Sequence, residues 1–336
     1  MSRLFAMIFA LVSAVSAIGV IVVAGSDAIA EPEATTPACK SSGAKIEAAN
    51  LPARFDLSDC PVKDKVITDG KAGVEIPPEG EGVSAHVSTP DGAQELAVEH
   101  LDDGTVELQD VGDEFVGASG VAAEEPVLRA QGNMLACRDR AYNLTGWKVY
   151  NRLEWYYGVR TTPRYLSKRR SELQINAASG NIMRSKNDCR MRDYVSAKKL
   201  YKGRTASRAQ IDSGGYCTGN QNTQSVVSFG RLPSNYLAMA CTSYYSEANR
   251  YDKVKGSDIL ISRRKKWSTR ANKCRGQRYD IQAVLTHEFG HSFGLGHVSE
   301  QSHRNLTMSS APSNTYCNIA ARTLGRGDII GLRKLY

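Results

Sequence analysis

Thr286-His287-Glu288-Phe289-Gly290-His291-Ser292-Phe293-Gly294-Leu295-Gly296-His297 is the stretch from which the rest of the chain is read. On a helix, residues four apart share a face, so His287 and His291 can offer two imidazole nitrogens to one ion. Glu288 then stands beside the ion rather than on it. Gly294 allows the helix to end, because glycine adopts a left-handed φ without steric cost. The chain can turn back there and bring in His297 as a third ligand. Three imidazoles and one water suit Zn²⁺ in an open site, where the ion lowers the pKa of its water to about 7. Glu288 has the chemistry of the general base that takes the proton. A closed structural zinc site would use four protein ligands, usually with cysteine, and no cysteine lies in this stretch.

The extended H-E-x-x-H-x-x-G-x-x-H pattern resembles that of the metzincin metallopeptidases. Gly290, Ser292 and Gly294-Leu295-Gly296-His297 are similar to the matrixin version. Metzincins also carry a methionine in a tight turn below the metal. Thr307-Met308-Ser309-Ser310, with Met308 eleven residues after His297, resembles that turn but lacks the usual tyrosine after the methionine. Leu324 to Tyr336 resembles the last matrixin helix. The resemblance is specific over 258–336, loose over 147–257 and absent before that. It implies an α+β, metzincin-like fold: a twisted mixed β-sheet with two long helices, a zinc-binding loop, a Met-turn and a C-terminal helix. It further implies one catalytic Zn²⁺ on His287, His291 and His297, Glu288 as base, Met308 as support, and a protein or peptide substrate. A structural Ca²⁺ is left open. An edge strand near 258–262 is expected to pair with the extended substrate.

Residues 1–30 read as a secretion signal. Arg3 is the early positive charge, Leu4 to Ala24 is apolar, and Ala28-Ile29-Ala30 is a small-x-small cleavage site. The expected location is extracellular, with an uncleaved membrane anchor as the lesser alternative. All eight cysteines follow the signal, which suits an oxidising compartment. Sequential pairing is expected, with Cys39 and Cys60 confined to the N-terminal region.

Charge divides the mature chain. Residues 31–125 carry 21 acidic and 6 basic side chains, and residues 126–336 carry 13 and 36. The acidic region is therefore expected to attract the basic half, and the basic half to attract an anionic cell surface. Nucleic-acid binding is not expected, because no recognisable motif accompanies the basic clusters. The chain is expected to act as a monomer.

Residues 31–116 are expected to form an acidic region, a propeptide or accessory domain with some β structure. Ala85-His86-Val87-Ser88 and Thr105-Val106-Glu107-Leu108 alternate like hairpin strands, separated by Pro90-Asp91-Gly92 and Asp102-Asp103-Gly104. Residues 31–50 and 70–82 read as disordered flanks, and His86 and His100 read as surface residues rather than ligands. Residues 117–133 look like a linker open to proteolysis. Matrixin precursors are held latent by a cysteine within a Pro-Arg-Cys-Gly pattern. Ser58-Asp59-Cys60-Pro61 does not match it, so charge attraction is the expected means of latency.

The zinc metallopeptidase domain is expected over 134–336. Trp147, Val149, Leu153 and Trp155 alternate as a strand. Thr162-Pro163 is expected to open a helix burying Leu166, Leu173 and Ala177. Val226–Phe229, Leu237–Tyr245 and Asp258–Ser262 read as strands. Asp280 can cap the zinc helix, with Ile281, Val284, Leu285 and Phe289 on its buried side and the histidines toward a cleft. Ile329, Leu332 and Tyr336 repeat at helical spacing. The function expected is that of a secreted zinc endopeptidase made as a precursor. The alternative is a catalytically silent surface-binding protein on the same scaffold.

Overall fold

A long sheet passes through the described part of the protein and carries both the acidic and the basic regions. The computed structural model describes residues 39, 43–109, 135–193, 195–218, 222–247, 251–310 and 315–336. The secretion signal and the linker at 117–133 lie outside them.

Nine of the sheet's ten strands form one path. In chain order they are β1 (Arg54–Asp56), β2 (Glu81–Thr89), β3 (Gly92–His100), β4 (Thr105–Gln109), β5 (Arg152–Gly158), β6 (Lys198–Thr205), β7 (Ser225–Gly230), β8 (Ala238–Tyr245) and β9 (Asp252–Ser262). Their order across the sheet is β6-β5-β7-β9-β8-β2-β3-β4-β1, and Trp147–Lys148 pairs with β9 off that path. The β6-β5-β7-β9 part is parallel, and every pairing from β9 onward along the path is antiparallel. The buried run Ser225-Val226-Val227-Ser228-Phe229 of β7 reflects burial on both faces, as interior parallel strands require.

Three helices complete the frame: α1 (Lys168–Met183), α2 (Ile281–Ser292) and α3 (Arg326–Leu335). The side chain of Ser167 caps α1 by accepting from Arg170 N–H. The expected start at Pro163 is too early: a 3₁₀ turn at Val159–Thr161 precedes that proline, and loop and turn residues follow it up to the cap. The buried face of α1 is Ser171, Ile175, Ala178, Ser179 and Ile182, while Leu173 is exposed. Spacing alone placed the apolar stripe on the wrong side, because small polar residues fill the contact with α2. Asn181 Nδ2 donates to Thr286 Oγ1 there, at 3.0 Å. Asp280 caps α2 as expected, accepting from Ala283 N–H, and also takes two hydrogen bonds from the Arg322 guanidinium. Every residue of α2 is buried. The helix ends as anticipated, with Gly294 at φ +93°.

The N-terminal strands form no separate β domain. β2 pairs with β8 from Glu81 to Ser88, with Ala85 opposite Cys241, His86 opposite Ala240 and Ser88 opposite Ala238. One apolar cluster mixes Val83, Ala85, Val87, Leu96 and Val98 with Ile211, Tyr236, Met239 and Leu260 from the second region. The flanks expected to be disordered are in part regular. Lys45–Glu47, Val66–Asp69 and Ala72–Glu75 make a small three-stranded sheet, and Glu81 opens β2. Four disulfides join the cysteines in sequential pairs, Cys39–Cys60, Cys137–Cys189, Cys217–Cys241 and Cys274–Cys317. Among the described residues no helix is long and apolar enough to cross a membrane.

Candidate metal centre

The rigid part of the site is α2. His287 and His291 project from the same side of it, one turn apart, and the turn at Gly294 returns the chain through Leu295–Gly296, which pairs with Asn143–Leu144. His297 follows directly. The three imidazoles converge: the Nε2 atoms of His291 and His297 each lie 3.1 Å from Nε2 of His287. Nitrogens about 2 Å from one tetrahedral centre lie about 3.3 Å apart, so these two spacings suit ligands of a single Zn²⁺.

The other ring nitrogens face oxygen acceptors. His287 Nδ1 is 2.7 Å from Thr307 O, and His291 Nδ1 is 2.8 Å from Leu295 O. His297 Nδ1 is 2.7 Å from Oε2 of Glu95, on β3. Each outer contact fixes a tautomer that leaves Nε2 as the inward lone pair, the usual outer shell of a metal-binding histidine. Burial, and then the neighbouring His297, push His287 down to about 3, so its imidazole is neutral as a ligand requires. Burial likewise keeps His291 well below the ordinary histidine range. Burial opposes ionisation of Glu95, but His297 and His86 outweigh it and hold that carboxyl well below the usual carboxylate range.

Glu288 is fully buried beside this cluster, and neither carboxylate oxygen has a hydrogen-bond partner. Burial pushes its pKa up to about 8, with Ser88 opposing the shift. An unpartnered buried carboxyl costs stability, which marks a position kept for another reason than packing.

Met308 is buried below the helix. A Cβ added at Gly290 would lie 2.3 Å from its sulfur, so the glycine permits this close approach. Asp328 of α3 accepts from the backbone N–H groups of Thr307, Met308 and Gly325. That carboxylate holds the 307–308 turn in place, and Thr307 O in turn meets His287.

The expected cleft in front of the histidines is filled by β2. His287, Glu288 and His291 are 1%, 0% and 0% exposed. His86, read from the sequence as a surface residue, is fully buried and stacks on His291 with ring centroids 4.0 Å apart. Its ligand nitrogen falls within 4.8 Å of those of His291 and His297. The alternation Ala85-His86-Val87-Ser88 was visible, but nothing in it shows which strand it meets. The strand expected at the substrate edge, Asp258–Ser262, is interior, between β7 and β8. The edge beside the histidines belongs to β8, and β2 occupies it. A basic hollow of about 460 Å³, lined in part by Arg208, Arg231, Arg263 and Arg264, shares no residue with the histidine cluster.

Residues 237–336 match the family model described as matrixin, so this part of the chain is a matrixin-like metzincin. That family implies a metalloendopeptidase that uses zinc and acts on protein. No curated protein matches the chain.

Proposed function

We propose, on the premise of that matrixin-like segment, that the chain is an exported zinc endopeptidase made as a latent precursor. The observation that carries the reading is the convergence of His287, His291 and His297 beside the buried, unpartnered Glu288. His287, His291 and His297 would hold the ion, which when bound polarises a carbonyl and acidifies a water. Glu288 takes the proton of the attacking water and returns it to the leaving amine. Thr307 O and Leu295 O keep the rings of His287 and His291 turned inward, and Glu95 does the same for His297 while the hairpin is in place. Met308 and Asp328 set the floor below them.

Latency is supported by the position of β2–β3. The hairpin covers the three catalytic residues of α2 and uses the free edge of β8, where an extended peptide would add as a strand. Backbone pairing and the shared apolar cluster supply most of this contact. Lys255 Nζ, 2.6 Å from Glu81, adds a charge pair across the two regions. Activation requires a cut between β4 and Leu135, followed by departure of the hairpin. Export agrees with the four disulfides and the secretion signal read from residues 1–30.

The test is incubation of zinc-loaded protein with a denatured protein, before and after limited proteolysis and removal of the N-terminal fragment. Cleavage by the separated C-terminal part, abolished by a chelator and restored by zinc, is the expected result. A separated part that binds zinc and cuts nothing favours the silent scaffold.

A further inference from the structure

His86 shares with His297 an Nδ1 that stands beside Oε2 of Glu95. In each of the three motif histidines, Nδ1 faces an oxygen and Nε2 points inward. His86 Nδ1 lies 3.0 Å from Oε2 of Glu95, off the line of a hydrogen bond, and its Nε2 has no hydrogen-bond partner. The same carboxylate oxygen of Glu95 thus stands behind both His86 and His297. The hairpin register makes this possible, because His86 and Glu95 sit directly opposite each other on β2 and β3. A fully buried imidazole without a hydrogen bond is costly, and here its ligand nitrogen falls within 4.8 Å of those of His291 and His297.

We infer that His86 is a fourth, inhibitory ligand to the metal in the uncut chain. This rests on the peptidase reading above and deepens it. A three-histidine site leaves one tetrahedral position for water. His86, once its ring turns out of its parallel stack on His291, would fill it with a neutral imidazole, so the uncut chain holds no water to be activated. Ser88, two residues on, lies on the same face of β2 as His86. That strand would thus occupy the water's position. Cys60, by contrast, is bonded to Cys39 and supplies no thiolate. When the hairpin leaves, His86 and Glu95 leave together, and the position opens to water.

The experiment is X-ray absorption at the zinc edge of the uncut, zinc-loaded chain spanning 31–336. Four imidazoles and no oxygen ligand are expected. After cutting and removal of the N-terminal fragment, three imidazoles and one oxygen are expected. Three imidazoles and an oxygen in the uncut chain would overturn the inference. A second measurement uses His86→Phe, which keeps a ring against His291 but cannot ligate. Zinc should pass to a chelator about tenfold faster or more from this uncut variant than from the uncut parent. Equal release rates from the two folded proteins would also overturn it. The two readings fail differently. Zinc bound by neither form would sink the peptidase proposal, whereas three imidazoles in both forms with cleavage by the cut form would sink only the role of His86.

Discussion

The helix and turn that carry His287, Glu288, His291 and His297 differ from the hairpin that covers them in how each finds its partners. In α2 the partners are local. The four-residue spacing puts His287 and His291 on one side of the helix, and the turn at Gly294, φ +93°, brings His297 back to them. In β2–β3 they are remote. His86 meets His291 and Glu95 meets His297 only because β2 takes the edge of β8. Short-range geometry builds the centre, and long-range strand pairing closes it. The comparison can be broken from either side.

The largest effect is expected at the base. In the cut form, Glu288→Ala should keep its zinc and lower peptide cleavage by about 10²–10⁴, the usual worth of general-base catalysis. Steady-state rates with metal analysis check this; an unchanged rate would remove Glu288 from the mechanism.

Next comes the third ligand. His297→Ala in the cut form should weaken zinc by more than the roughly 10–100-fold that outer-shell changes cost. Chelator competition reads the difference. If affinity is retained, the local rule fails and the ligand set needs another member.

Asp328 tests the floor shared by both regions' histidines. Asp328→Ala leaves the N–H groups of Thr307, Met308 and Gly325 without their acceptor, and should destabilise the fold by about 3 kcal/mol. Urea unfolding of the uncut chain measures it. A loss below about 0.5 kcal/mol, the scale of ordinary surface changes, would mean that the turn holds itself.

The smallest effect is expected for charge. Lys255→Met removes the partner of Glu81 at the end of β2 and should loosen the hairpin by about 1 kcal/mol. Amide exchange at His86 to Ser88 should stay slow, since the backbone pairing with β8 remains. Rapid exchange there would show that the opposed charges of the two regions, and not the strand, hold the cover down.

These contrasts account for what the sequence made legible. The strands read at 226–229, 237–245 and 258–262, the cap at Asp280 and the end at Gly294 follow from local pattern and backbone chemistry, whereas the first half of the last strand, from Asp252, was not legible. The hairpin turns near Gly92 and Gly104 follow in the same way. The expected start of α1 fell too early because Pro163 lies in the loop that follows the 3₁₀ turn at Val159–Thr161, and the serine that caps the helix, Ser167, comes four residues after it. The burial of His86 could not be read from its neighbours. In a strand the side-chain period gives a face, but the face acquires meaning only from the strand beside it. The strongest available signal was the absence of a free inhibitory cysteine pattern, which left the cover's chemistry unassigned.

The most direct test of the central claim, that the β2–β3 hairpin closes a complete peptidase site, is the specific activity of the zinc-loaded chain spanning 31–336. It is measured before and after proteolysis between residues 110 and 134 and removal of the freed N-terminal fragment. No cleavage above background beforehand, and zinc-dependent cleavage afterwards that disappears when the fragment is added back, is the result predicted. Full activity in the uncut, zinc-loaded chain would contradict it.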